Sequence, residues 1–141
     1  MSTKITVIGT WAIAVLVLSA AGAVAQTARE AAIDAGAVQL TSEEIADLIV
    51  GKTVTARLGE KRFMFFYGTD NVLSGKLIGG NWSGTGYYGI TDDNRVCLSM
   101  KKDKGRLRCL ALLRLDGTVR KYNVDGKMTF ELLEFQEGNR L

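Results

Sequence analysis

Two thiols and a run of cations are the first residues in this chain with chemistry to offer. Cys97 and Cys109 are its only cysteines, and between them lie Lys101, Lys102, Lys104, Arg106 and Arg108 with a single acid, Asp103. Two thiols twelve positions apart, in a chain without histidine, fall short of the four ligands of a tetrahedral metal site. They also lack the Cys-x-x-Cys spacing that tunes a redox thiol. A disulfide is the reading that remains. If residues 101–105 are the loop of a hairpin centred on Asp103, the cysteines stand six positions to either side and face each other on adjacent strands. Opposed residues at a non-hydrogen-bonded pair come within disulfide reach. The staple would gather the cations at one end, either as a solvated tip that keeps a β-edge soluble or as a patch that docks an anionic surface, such as lipopolysaccharide phosphates or an acidic cleft.

Catalytic groups are scarce. The sequence has no histidine, which removes the usual general base, the Ser-His and Cys-His dyads and the commonest transition-metal ligand. Carboxylates remain. Asp92 and Asp93 precede Asn94 and read as a turn, while Glu131 and Glu134 are an odd number apart on a strand and are expected on opposite faces. Glu43, Glu44 and Asp47 read as acids favoured by a helix N-terminus. The stretch GGNWSGTGYYG, residues 79–89, has no Gly-Lys-Ser/Thr ending and a β-like continuation, so it is not a phosphate loop. Its Trp82, Tyr87 and Tyr88 suit a binding loop with aromatic stacking groups; its glycines also suit a curved strand with Trp82 plugging one end of a barrel. No catalytic, cofactor-binding or metal-binding residue is assigned, no cofactor is expected, and the chain is not expected to be an enzyme.

The compartment is written at the other end of the chain. Lys4 precedes the apolar run ITVIGTWAIAVLVL, and SAAGAVAQ follows it. These are the three parts of a secretory signal peptide over residues 1–25, with Ala23-Val24-Ala25 as the cleavage element and Gln26 as the expected mature start. Removing 25 of 141 residues leaves 116, enough for one compact domain. Lys4 leaves with the leader, so the mature charge is 17 basic minus 15 acidic residues, or +2. That balance favours neither nucleic acid nor a polybasic membrane binder. An exported, periplasmic or secreted chain meets an oxidising compartment, which again favours a Cys97–Cys109 bond, and cleavage leaves no stable transmembrane anchor.

The elements that must position these residues are mostly strands. Residues 26–39, rich in alanine, read as a linker or frayed helix, and 40–141 as a single β-rich domain. Its opening LTSEEIADLIVGKTV is a helix: Thr41 stands three before Glu44 as in a capping box, Ile45, Leu48 and Ile49 share a face, and Gly51 can end it. Short β-rich runs follow, near 53–57, 62–67, 72–78, 87–90, 96–100, 106–113, 118–124 and 128–134. Asp116-Gly117 and Asp125-Gly126 signal two-residue hairpin turns. The expected fold is mainly β with a short N-terminal helix, a single antiparallel meander of about eight strands forming a lipocalin-like barrel or half-barrel. FMFFY, residues 63–67, is apolar on both strand faces and is expected to be central, one face on the core and the other under the helix.

The order LTSEEIADLIVGKTV, GNWSG, RVCLSM, RLRCLALL and DGTVRKY, spanning Leu40 to Phe135, resembles a family of small exported proteins of unknown function from Gram-negative, chiefly alphaproteobacterial, genomes. The resemblance implies a periplasmic β-domain and carries over no catalytic residue. More loosely, a single-domain barrel with an internal Gly-x-Trp is similar to lipocalin-like proteins and to small periplasmic inhibitors of hydrolases, although here the Gly-x-Trp falls midway along the domain rather than on the first strand. The favoured expectation is a non-catalytic envelope protein that binds a partner, whether an anionic envelope component or a periplasmic protein such as a hydrolase it restrains. The alternative is a small-ligand carrier using the barrel interior. A carrier needs a cavity lined by apolar and aromatic residues; a partner-binding module needs a filled core and an exposed patch.

Overall fold

The computed structural model describes residues 21–141 and, before them, Gly9 alone, so the expected leader lies almost entirely outside the described residues. Strands β2 (Lys52–Leu58), β3 (Lys61–Tyr67), β4 (Val72–Leu77), β5 (Ser83–Thr91), β6 (Arg95–Met100), β7 (Leu107–Leu115), β8 (Thr118–Tyr122) and β9 (Met128–Glu137) run antiparallel, each paired with the next. β9 returns to β2 through partners such as Val54 and Phe135, which closes an eight-stranded up-and-down barrel. Closure removes the exposed edges that an open meander would present. A further short strand, β1 (Val38–Gln39), lies outside the barrel and pairs with β7 at Val38 and Arg114.

The turns follow the sequence chemistry in part. Asp116 and Gly117 both take positive φ, 50° and 80°, and join β7 to β8 as a two-residue hairpin. Asp125-Gly126 does not. The Asn123 N–H donates to the Lys127 carbonyl and the Gly126 N–H to the Asn123 carbonyl, while Asn123 Oδ1 accepts from the N–H groups of Asp125 and Lys127, so the side chain reinforces a backbone turn longer than a two-residue hairpin.

Helix α2 (Ser42–Ile49) has the expected capping box: Thr41 Oγ1 accepts from the Glu44 N–H, and the Glu44 carboxylate accepts from the Thr41 N–H. Its seat differs from the expectation. The helix does not cover the outer face of β3; it meets β2, β5 and β6. The Ser42 hydroxyl donates to the Thr91 carbonyl at 2.6 Å and the Ser42 N–H to Asn94 Oδ1 at 2.8 Å. These bonds anchor α2 at the barrel end that carries the β3–β4, β5–β6 and β7–β8 turns. There Ile45 and Ile49 enter the core beside Val54, Leu112 and Val119 with no exposed surface of their own. Phe63, Phe65 and Tyr67 point into the barrel, while Met64 and Phe66 stay half-buried outside it. Of the two readings of 26–39 the structure has the helix, capped and packed: Thr27 and Glu30 cap helix α1 (Ala28–Asp34), the Arg29 N–H donates to the Gly126 carbonyl, and Ala32 and Ala37 pack with Ala111, Leu113 and Tyr122 outside the barrel.

The closing seam carries a half-buried ionic cluster on its outer face. Arg57 Nη2 donates to Glu131 at 2.9 Å and Arg120 Nε at 3.2 Å, linking β2, β9 and β8. Burial alone would raise the Glu131 pKa, but the Arg120 hydrogen bond and the Arg57 charge outweigh it and hold the carboxyl below its ordinary value. A depressed folded-state pKa stabilises the fold above the unfolded pKa, and that stability disappears as pH falls through the folded value. The urea midpoint should therefore drop on acidification through and below the ordinary glutamate range, and Glu131→Gln should flatten this dependence. An unchanged pH profile in that variant would show that the seam contact contributes nothing.

Candidate ligand-binding cavity

With α2 filling one end, the interior divides into a packed half and an open half. Toward the open end, which carries the β2–β3, β4–β5, β6–β7 and β8–β9 connections, a cavity of about 630 Å³ remains. That volume is typical of small-molecule sites, as is its mainly apolar wall. Phe63, Phe65, Trp82 and Phe130 form the aromatic part. Trp82 meets Phe63 edge-on at 5.6 Å, and Phe130 meets Phe63 and Phe65 at 5.7 and 5.6 Å. Leu73, Leu98, Met100 and Leu110 complete the apolar surface.

The glycines of the 79–89 stretch make this arrangement possible. β5 starts at Ser83 and includes glycines that strand propensity disfavours, and inward-facing neighbours require them. A Cβ on Gly84 would sit 3.3 Å from Trp82 and from Met100, and one on Gly75, opposite Phe65, would meet that ring at 2.7 Å. At Gly86 the partner strand itself leaves no room, since a Cβ would fall 2.8 Å from Met100 Cα.

One charged residue stands inside. Lys121 is only 3% exposed, and its Nζ donates to the Tyr67 hydroxyl at 2.5 Å. Nζ is 5.1 Å from the Tyr67 ring centroid. A nitrogen this close to the hydroxyl and this far from the centroid lies off the oxygen end of the ring, so the contact is a hydrogen bond rather than a cation–π interaction. Tyr67 is itself 1% exposed and packs edge-on against Tyr88 at 5.0 Å. Both Lys121 and Tyr67 line the cavity. No salt bridge among the described residues involves Lys121. The inward placement was available in the alternation of TVRKY: Val119 is core, so Lys121 shares its phase. Alternation alone does not single it out, because one lysine in a strand ordinarily faces water.

The cysteines are joined. Cys97 and Cys109 are directly opposed partners of β6 and β7 with Cα atoms 4.0 Å apart, in the register expected from a hairpin centred on Asp103. The cations divide into two sets. Asp103 accepts from Arg108 Nε at 2.9 Å and pairs with Arg106 at 3.4 Å, which occupies both guanidinium groups and holds the Asp103 carboxyl below its ordinary pKa, chiefly through the Arg108 hydrogen bond. Lys101, Lys102 and Lys104 are exposed, with Lys102, Arg106 and Arg108 at the cavity mouth. The aromatic trio is split. Trp82 belongs to the cavity wall and does not plug the end, a role taken by α2. Tyr87 faces outward, and Tyr88 is core, with its hydroxyl donating to the Gly68 carbonyl at 2.7 Å and burial raising its pKa.

The carboxylates considered for catalysis lie away from the cavity. Asp92 and Asp93 occupy the β5–β6 turn beside α2. Glu131 and Glu134 do not face opposite sides: β9 carries an extra residue, Leu133, between the partners of Thr55 and Ala56, and this bulge shifts the register so that Glu131 opposes Arg57 and Glu134 opposes Thr55, both on the outer surface. Among the described residues no group of acids, cysteines and histidines could hold a metal ion, and no helix is long and apolar enough to cross a membrane. Comparison with protein-family models, with curated proteins and with solved structures gave no match. The site is therefore read from its own chemistry.

Proposed function

We propose that this protein is an exported, non-catalytic carrier that holds one small, largely apolar molecule in the mouth of its barrel. The observation that carries this reading is the aromatic-lined cavity of about 630 Å³ above a packed, helix-plugged base. A module built only to dock a partner has no need of unfilled interior volume, because each unpacked void weakens a core. The leader-like residues 1–25 and the disulfide support export. The absence of histidine from the sequence supports a binding role, as does the state of Glu131, which its arginines hold ionised and therefore unsuited to general acid work.

Trp82 offers a direct readout, since it is the one tryptophan beyond the leader. Titration with phenylnaphthylamine, an uncharged dye that brightens in apolar surroundings, should show saturable binding at one dye per chain with quenching or transfer from Trp82. Phe130→Asp, which places a charge on the wall, should weaken binding about tenfold or more. Linear, unsaturable fluorescence would contradict the proposal and return the protein to the class of partner-binding modules.

A further inference from the structure

The cavity ends on a cation. Lys121 Nζ carries three N–H donors and spends one on Tyr67. Tyr67 uses its oxygen as acceptor in that bond, so its own proton is free for another partner. The base of an apolar cavity thus presents donors in excess of acceptors. A buried ammonium without a counter-charge is costly, and a paired, hydrogen-bonded one is tolerated. Among the described residues none supplies that counter-charge: the carboxylates on the cavity surface, Asp103 and Asp125, are at the mouth, and Asp103 is engaged by Arg106 and Arg108.

We infer that the ligand is an anionic amphiphile with a carboxylate head, bound head-inward on Lys121 and Tyr67 with its hydrocarbon body along Phe65, Trp82 and Phe130. This rests on the carrier reading and specifies its ligand class. A carboxylate matches the geometry because it accepts from both donors, one oxygen to each, and charge-assisted bonds are the stronger kind. The aromatic wall matches the body because it offers only dispersion and apolar burial. The outward-facing lysines at the rim would speed entry of an anion without fixing it.

The test compares three probes of equal chain length, dodecanoate, dodecanol and dodecyltrimethylammonium, the two ions added below their micelle concentrations and the alcohol below its solubility limit, each followed by displacement of phenylnaphthylamine. Wild-type protein should bind dodecanoate at least about tenfold more tightly than the alcohol, and the cation weakest. Lys121→Met should remove that preference while binding the alcohol as well as wild type does. Its fold is expected to persist, since replacing a buried charge by an apolar side chain of similar volume is often neutral or stabilising. Tyr67→Phe should reduce the preference by a smaller factor, and Lys101→Ser with Lys104→Ser should leave it intact. Equal binding of all three probes by wild-type protein would overturn the head-group assignment and leave the carrier reading standing, whereas displacement by none of them, with no dye bound, would defeat both. A preference lost in Lys102→Ser but kept in Lys121→Met would put the head at the mouth and overturn the inward orientation.

Discussion

Truncating Ile45 or Ile49 to alanine is expected to cost roughly 2–5 kcal/mol of folding stability, the range for deleting a fully buried aliphatic side chain and leaving a cavity behind. Both residues have 0% exposure and sit where α2 closes the barrel. The helix is eight residues long, too short to persist by propensity alone, so its stability comes from this apolar face and its capping box. Because the two isoleucines are one helical turn apart and touch the same core, their losses should not add simply. Together they should still remove a large share of the margin of about 5–15 kcal/mol that a domain this size has. Ile33→Ala in α1, where the side chain is 45% exposed, is the control and should stay within about 0.5 kcal/mol of wild type. Urea denaturation decides the matter: a loss under about 1 kcal/mol at both Ile45 and Ile49 would mean that α2 is not seated as a plug.

Breaking the Cys97–Cys109 bond should cost about 3 kcal/mol, because releasing a loop of this length restores conformational entropy to the unfolded chain. The sequence separation is 12 residues. The urea midpoint of a Cys97→Ser/Cys109→Ser variant should fall accordingly, and dye binding should change less than about twofold at temperatures where the fold survives. The second expectation follows from strand alternation: Cys97 and Cys109 pair across the outer face while Leu98 and Leu110 face in. Thiol titration of unreduced protein purified from an oxidising compartment gives an independent check, and two free thiols there would contradict the bond.

How much of this was legible in the sequence varies with the physics involved. The strands and the meander were, because period-2 alternation and turn chemistry are local. The disulfide register was, because a symmetric hairpin fixes its partners by counting. The seat of α2 was not, since periodicity reveals that a helix has an apolar face but not whether that face meets a sheet or a barrel end. The two-sided apolar run at 63–67 encouraged the wrong choice, with Met64 and Phe66 half-buried outside rather than under the helix. Residues 83–86 look unlike a strand because Gly84 and Gly86 answer to neighbours outside β5, Trp82 just before it and Met100 on β6. Glu134 was placed on the wrong face because a bulge is invisible to a parity argument. Lys121 carries the largest lesson for the site: its inward phase was readable from Val119, yet its meaning required the Tyr67 hydroxyl, more than fifty residues away in sequence.

The most direct test of the central claim, that the barrel mouth is the binding site, is isotope-edited nuclear magnetic resonance of the protein saturated with phenylnaphthylamine. Cross-relaxation from dye protons should reach the ring protons of Phe63, Phe65, Trp82 and Phe130, which line the cavity, and should be missing at Tyr87, which points outward from β5. Contacts confined to Tyr87 or other outer residues in the saturated sample, with none to those four rings, would contradict the account.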